Sequence, residues 1–170
     1  MAFLEWLEAT SFSTWLKLSP SIWAYPSFLF LHTLGLSAAA GCSLALDLRL
    51  LGVARATPLA PYERFFPLMW TGFWISVLTG AVLVAADATT AVTNPFFSLK
   101  LALIALGIGV AVPIRRALRA HQGSEPVPRA VWWLAIASMV AWCGAIAAAH
   151  ATAYLDPAAL ASAPNIGGVQ

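Results

Sequence analysis

Four long apolar stretches, at residues 22–46, 65–86, 96–114 and 131–154, leave this chain few ways to fold. Each matches the roughly 20 apolar residues that carry a helix across the hydrocarbon core of a bilayer. In lipid, backbone polar groups must be satisfied within the segment or around a closed barrel. The strand-like alternation of a barrel is absent from these runs. The expectation is an all-α integral membrane protein, a four-helix up-and-down bundle forming one domain over residues 1–170. Composition agrees, with 61% hydrophobic and 9% charged residues, against about 25% charged in a soluble domain. Lipid is therefore the first partner expected. A net charge of +2 with scattered arginines excludes a nucleic-acid binder. Cys42 and Cys143 lie inside apolar runs and do not suggest a disulfide framework.

Residues 2–18 differ from the four runs. Phe3, Leu4, Leu7, Trp15, Leu16 and Leu18 alternate with Glu5, Glu8, Ser11, Ser13 and Lys17, which suits an amphipathic helix lying in the membrane interface. Glu rather than Lys or Arg among the first residues argues against a secretory signal. Basic residues set the orientation. Arg49, Arg55 and Arg64 follow the first span, and Arg115, Arg116, Arg119 and Arg129 follow the third. The other side carries only Lys17. In a bacterial inner membrane both termini would then be periplasmic. Residues 157–170 read as a loose tail and 122–128 (QGSEPVP) as a turn-forming loop.

Helices in lipid associate through close packing of small residues. Gly35, Ala39 and Ser43 supply such a row in the first span, with Ser37 and Gly41 on an adjacent one. Gly72, Ser76 and Gly80 supply it in the second, and Ala137, Ala141, Ala145 and Ala149 in the fourth. Trp6, Trp15, Trp23, Trp70, Trp132 and Trp133 fall near helix ends, as an aromatic belt requires.

Ionisable residues inside a bilayer are costly and mark candidate sites. His32, Lys100 and His150 belong to three different spans, yet helix rise puts all three in the outer half of the membrane. His32 is a candidate metal ligand, above all for haem iron, as well as a proton relay or an interhelical hydrogen bond. Lys100 is placed to hold a propionate, a quinone oxygen or a lipid phosphate, or to snorkel towards the interface. Asp87 and Asn94 are alternative partners for it. His150 shares a helix face with Met139, Cys143 and Ile146, a soft-ligand path for copper(I) that equally describes ordinary packing. Asp47 and Arg49 read as a stop signal at the end of the first span, paired locally to Glu63 or Arg64. No nucleophile with a base, carboxylate pair, phosphate loop or zinc spacing is present. Whether the chain is an enzyme is thus left open.

Several segments in order carry a resemblance: WAYP at 23–26, HTLG at 32–35, DLRLLG at 47–52, TGF at 71–73, Thr79-Gly80, NPFF at 94–97 with Lys100 following, and Ala153-Tyr154. Together they resemble a family of small bacterial four-helix inner-membrane proteins of unknown function. More distantly the chain is similar to membrane proteins of the copper-resistance D type and to the haem-b-binding membrane protoporphyrinogen oxidase. Those place a His in the first helix, matched by His32, and a Lys early in a later one, matched by Lys100. The chain departs from the first family in carrying Ala149-His150 where a Gly-Arg pair is expected. The resemblance implies four spans and supplies no established activity.

Two functions follow as expectations. One is a redox-linked membrane protein with haem b or a quinone near His32 in the periplasmic half, with Lys100 and His150 as further cofactor-binding candidates. The other is a non-catalytic accessory subunit of a larger respiratory or photosynthetic membrane complex. A transporter has weaker support, since broken-helix signals are absent.

Overall fold

A computed structural model describes residues 1–120 and 128–154 of the chain. Seven helices and one 3-10 turn make up its regular structure, and no strand occurs among the described residues. Four helices are long and apolar enough to cross a membrane: α3 (Tyr25–Leu50), α4 (Phe65–Ala86), α6 (Pro95–Ala120) and α7 (Arg129–Tyr154). The second and fourth expected spans fit closely, while the first and third run further towards the arginine-bearing end. Pro26 and Pro95 stand in the opening turns of α3 and α6, where a missing N–H costs nothing. Asn94 Oδ1 accepts from the Phe96 N–H at 2.9 Å and caps α6. The expected loop 122–128 lies outside the described residues except for its last position, and the tail 157–170 wholly so.

The helices pack as two antiparallel hairpins, α3 with α4 and α6 with α7, joined mainly where α3 meets α7. The α3–α4 crossing is very close. A Cβ on Gly35 would meet the Gly72 carbonyl oxygen at 2.6 Å, and one on Gly72 would meet that of Gly35 at the same distance. Only glycine lets two backbones approach so far. The expected row Gly35, Ala39, Ser43 is buried, whereas Ser37 and Gly41 are exposed. On α7 the buried face is Val131, Ala135, Ser138, Ala141, Trp142, Ala145 and Ala148. It shares Ala141 and Ala145 with the expected row and leaves Ala137 and Ala149 at its margin.

The core lies towards the arginine-bearing end and the middle of the bundle. Leu46 and Leu50 of α3, Phe66 and Met69 of α4, Val110, Ile114 and Leu118 of α6, and Trp142 of α7 belong to it. Trp142 fits because Gly107 faces it, with only 3.0 Å between the indole and the place of an absent Cβ. Arg115 lies over the Phe66 ring at 5.2 Å, and Arg119 approaches Glu63 at 3.9 Å, so α6 is tied to the start of α4 at this end.

The interfacial segment forms two helices rather than one, α1 (Ala2–Glu8) and α2 (Ser11–Leu18). Thr10 breaks the run, because its hydroxyl accepts from the Ser13 N–H and caps α2. Ser13 is buried and donates to Leu7 and to Ala85 near the end of α4. Leu16 packs with Ala24 and Ala86 in a small satellite core. The loop after α4 contains α5 (Ala88–Thr93). Glu8 Oε1 accepts from both the backbone N–H and the hydroxyl of Thr89, each at 2.6 Å. The Thr89 hydroxyl first, then its N–H, holds the Glu8 carboxyl below its ordinary range.

Candidate functional site

His32 lies about one helical turn before Gly35 and faces Ser76 and Gly80 of the expected α4 row, where Gly80 makes room for it. A Cβ on Gly80 would lie 2.9 Å from His32 Cε1 and 3.0 Å from Nδ1. His32 Nδ1 sits 2.9 Å from the Ser76 backbone oxygen and 3.2 Å from its hydroxyl. A carbonyl can only accept, so the imidazole proton lies on Nδ1. The neutral ring therefore keeps a bare Nε2, which has no hydrogen-bond partner among the described residues. This is the second-shell arrangement that fixes tautomer and orientation in ligating histidines.

Lys100 enters from the other hairpin, on the second turn of α6, and is partly buried. Its ammonium has no hydrogen-bond partner among the described residues. The two partners expected for it are engaged elsewhere. Asp87 pairs with Lys17 at 3.0 Å, and Asn94 caps α6. No hydrogen bond joins Lys100 to His32.

His150 stands apart from that pair. It is exposed, and its Nδ1 bonds the Ile146 carbonyl of its own helix at 2.9 Å. Cys143 and Ile146 on the same face are also exposed, and Met139 is half-buried. No group of three or more His, Cys, Asp or Glu side chains able to hold a metal occurs among the described residues.

A second polar position emerges at the arginine-bearing end, about 22 Å along α3 from His32 by helix rise. Asp47 does not act as an exposed stop signal, because only 1% of its surface is exposed. The Ser138 hydroxyl donates to its carboxylate, while Oδ2 has no hydrogen-bond partner. Asp47 lines a small cavity with Cys42, Ser43, Phe66, Met69 and Ser138. Arg49 is buried too, donating through Nε to the Thr57 carbonyl at 2.6 Å and through Nη2 to that of Arg55 at 3.0 Å. It organises the loop after α3, and Glu63, its expected partner, lies near Arg119 instead. The sequence did hold a signal for Asp47. Gly35, Ala39, Ser43 and Asp47 follow one another at steps of four, so the carboxylate continues the buried row.

Comparison of the chain with protein-family models, curated proteins and solved structures finds no match.

Proposed function

We propose that this chain is a small redox-linked protein of a bacterial inner membrane that holds haem b or a quinone at His32. The observation carrying this reading is the His32 ring, pinned through Nδ1 to Ser76 with Nε2 left bare among the described residues. The arginine distribution supports an outer-half location, with both chain ends periplasmic. The residues suit either group. A bare Nε2 is a donor to iron or an acceptor for the O–H of a quinol. The Lys100 cation neutralises a propionate or donates to a quinone oxygen. His32 and Lys100 come from different hairpins, so a ligand held by both would bridge them. The bound cofactor supplies the electron in such a site. His32 would hold haem iron through Nε2 or, with a quinone there instead, orient it and take up a proton at that nitrogen, and Ser76 and Gly80 keep the ring in place. His150 is exposed and bonds the Ile146 carbonyl of its own helix, so it is not part of the proposed site.

The test is solvent extraction of protein purified in mild detergent from cells supplied with haem precursor, followed by chromatographic quantification of haem b and quinone. The expected result is one of the two in near-stoichiometric amount, lost in His32→Ala, reduced in Lys100→Gln and unchanged in His150→Ala. Wild-type protein carrying neither would contradict the proposal.

A second reading, an accessory subunit of a larger respiratory or photosynthetic complex, is favoured by the outer part of α6. No α6 residue before Gly107 is buried, and the lysine among them has no hydrogen-bond partner among the described residues. Co-elution of a native partner that protects Lys100 from amine-reactive reagents would support this reading, and elution as a lone chain with Lys100 reactive would oppose it.

A further inference from the structure

Asp47 is the one carboxylate buried in the bundle among the described residues, and half of it is unaccounted for. Ser138 serves one side, while Oδ2, fully out of contact with solvent, has no partner. The cavity it lines has a free volume of about 10 Å³, the room taken by about one water molecule. Nothing larger fits without rearrangement. A metal ion wants several converging oxygen ligands, and the other polar groups here are already used. The Ser43 hydroxyl donates to Met69 Sδ at 3.2 Å, and that of Ser138 to Asp47 itself.

The charged and titratable groups around Asp47 can be taken helix by helix. On α3 itself, Cys42 lines the cavity, and Arg49 binds the Thr57 and Arg55 carbonyls. Glu63 and Arg64 precede α4 in the 3-10 turn, both outside the cavity lining. From α6, Arg115 lies over the Phe66 ring, Arg116 is exposed, and Arg119 approaches Glu63. From α7 the cavity receives only Ser138, and Arg129 is exposed at the start of that helix. No cation therefore lines the cavity. A carboxylate withdrawn from water without a counter-charge is far costlier than a hydrogen-bonded neutral acid. Buried carboxylates within membrane bundles characteristically serve as proton sites.

We infer that Asp47 is a proton-binding site, with one cavity water as the donor and acceptor that loads and unloads Oδ2 from the arginine-bearing side. Loading forms an O–H bond at Oδ2 and breaks one in a hydronium ion, leaving water; unloading is the reverse. Ser138 positions the carboxyl by donating to its other oxygen. This site is independent of the His32 reading and stands whether or not a cofactor binds there.

Infrared spectroscopy of the protein reconstituted in lipid at neutral pH tests the inference, using protein with and without carbon-13 in its aspartate carboxyl groups. The expected spectrum contains a protonated-carboxyl carbonyl band that shifts with the label and in heavy water. Asp47→Asn should abolish it, and Ser138→Ala should move it to higher frequency by removing a hydrogen bond. No label-sensitive acid band in the wild type, or a band that survives Asp47→Asn in folded protein, would overturn the inference. Should Asp47→Asn fail to fold, the Ser138→Ala shift decides: a displaced band assigns the proton to Asp47, and an unmoved band removes it.

Discussion

The two halves of the bundle are built from the same four helices and packed in opposite ways. Towards the arginine-bearing end, all four helices contribute to one core, and α6 is tied to the start of α4 through Arg115 on Phe66 and Arg119 near Glu63. In the outer half, α3 buries nothing before Gly35 and α6 nothing before Gly107. There α3 and α4 stay together through His32, Ser76 and Gly80. A closed half holds its polar group, Asp47, in a space for one water. The looser half holds His32 against Ser76 and Gly80, at the place where the proposed cofactor would lie between the hairpins. The lesson is that polar residues within one helix can be given different surroundings by what the neighbouring helices bury.

Removing the centre of the closed half should have the largest effect. Trp142→Ala empties a fully buried site and should cost about 3–5 kcal/mol in equilibrium unfolding in mixed micelles. Trp142→Phe should cost far less, because the indole Nε1 has no hydrogen bond to lose. Next comes Gly35→Ala, which forces two backbones apart and should cost about 3 kcal/mol, the upper end for overpacking. Gly80→Ala should be milder in stability, about 1 kcal/mol, because it displaces a side chain rather than a backbone. Its sharper readout is nitrogen-15 NMR of His32, where the shielding of Nδ1 should change as the Ser76 bond is lost. The smallest effect belongs to the open half. Leu101→Ala removes an exposed, lipid-facing side chain and should stay within about 0.5 kcal/mol of wild type. Equal costs for Trp142→Ala and Leu101→Ala would erase the contrast between the halves.

The α1–α5 contact adds a pH test outside the membrane. Glu8 is held below its ordinary range by Thr89, so its contribution is present above the carboxylate range of the unfolded chain. It is lost as pH falls through the lowered value. The hydrogen-exchange protection factors of α1 should fall on acidification, and Glu8→Gln should lower them at neutral pH and flatten the dependence.

The four spans were legible because twenty or more apolar residues in lipid admit one secondary structure. The α3–α4 seam was legible from Gly35, Ala39, Gly72 and Ser76, since close approach demands small side chains at steps of four. Legibility stopped where a residue's direction depended on a neighbour. Asp47 continues the row Gly35, Ala39, Ser43, but nothing local shows that Arg49, two residues on, turns back to fold the loop. Trp142 stands in the middle of its span, and nothing in the sequence pairs it with the Gly107 opposite. His150 lay at the depth of the other candidates, but depth does not fix the side of the helix. The break at Thr10 was available in principle, as a capping threonine with Ser13 three residues on.

Electron–electron double resonance on the lipid-reconstituted protein measures the contrast between the halves most directly. Cys42→Ala and Cys143→Ala clear the background. One label pair replaces Leu78 of α4 and Leu99 of α6, both exposed in the outer half. A second pair replaces Leu68 of α4 and Arg116 of α6, exposed near the arginine-bearing end. The expected result is a narrow distance distribution for the second pair and a broad one for the first, narrowing when the His32 ligand is present. Equally narrow distributions at both ends of ligand-free protein would contradict the looser outer half, and with it the place proposed for a ligand between the hairpins.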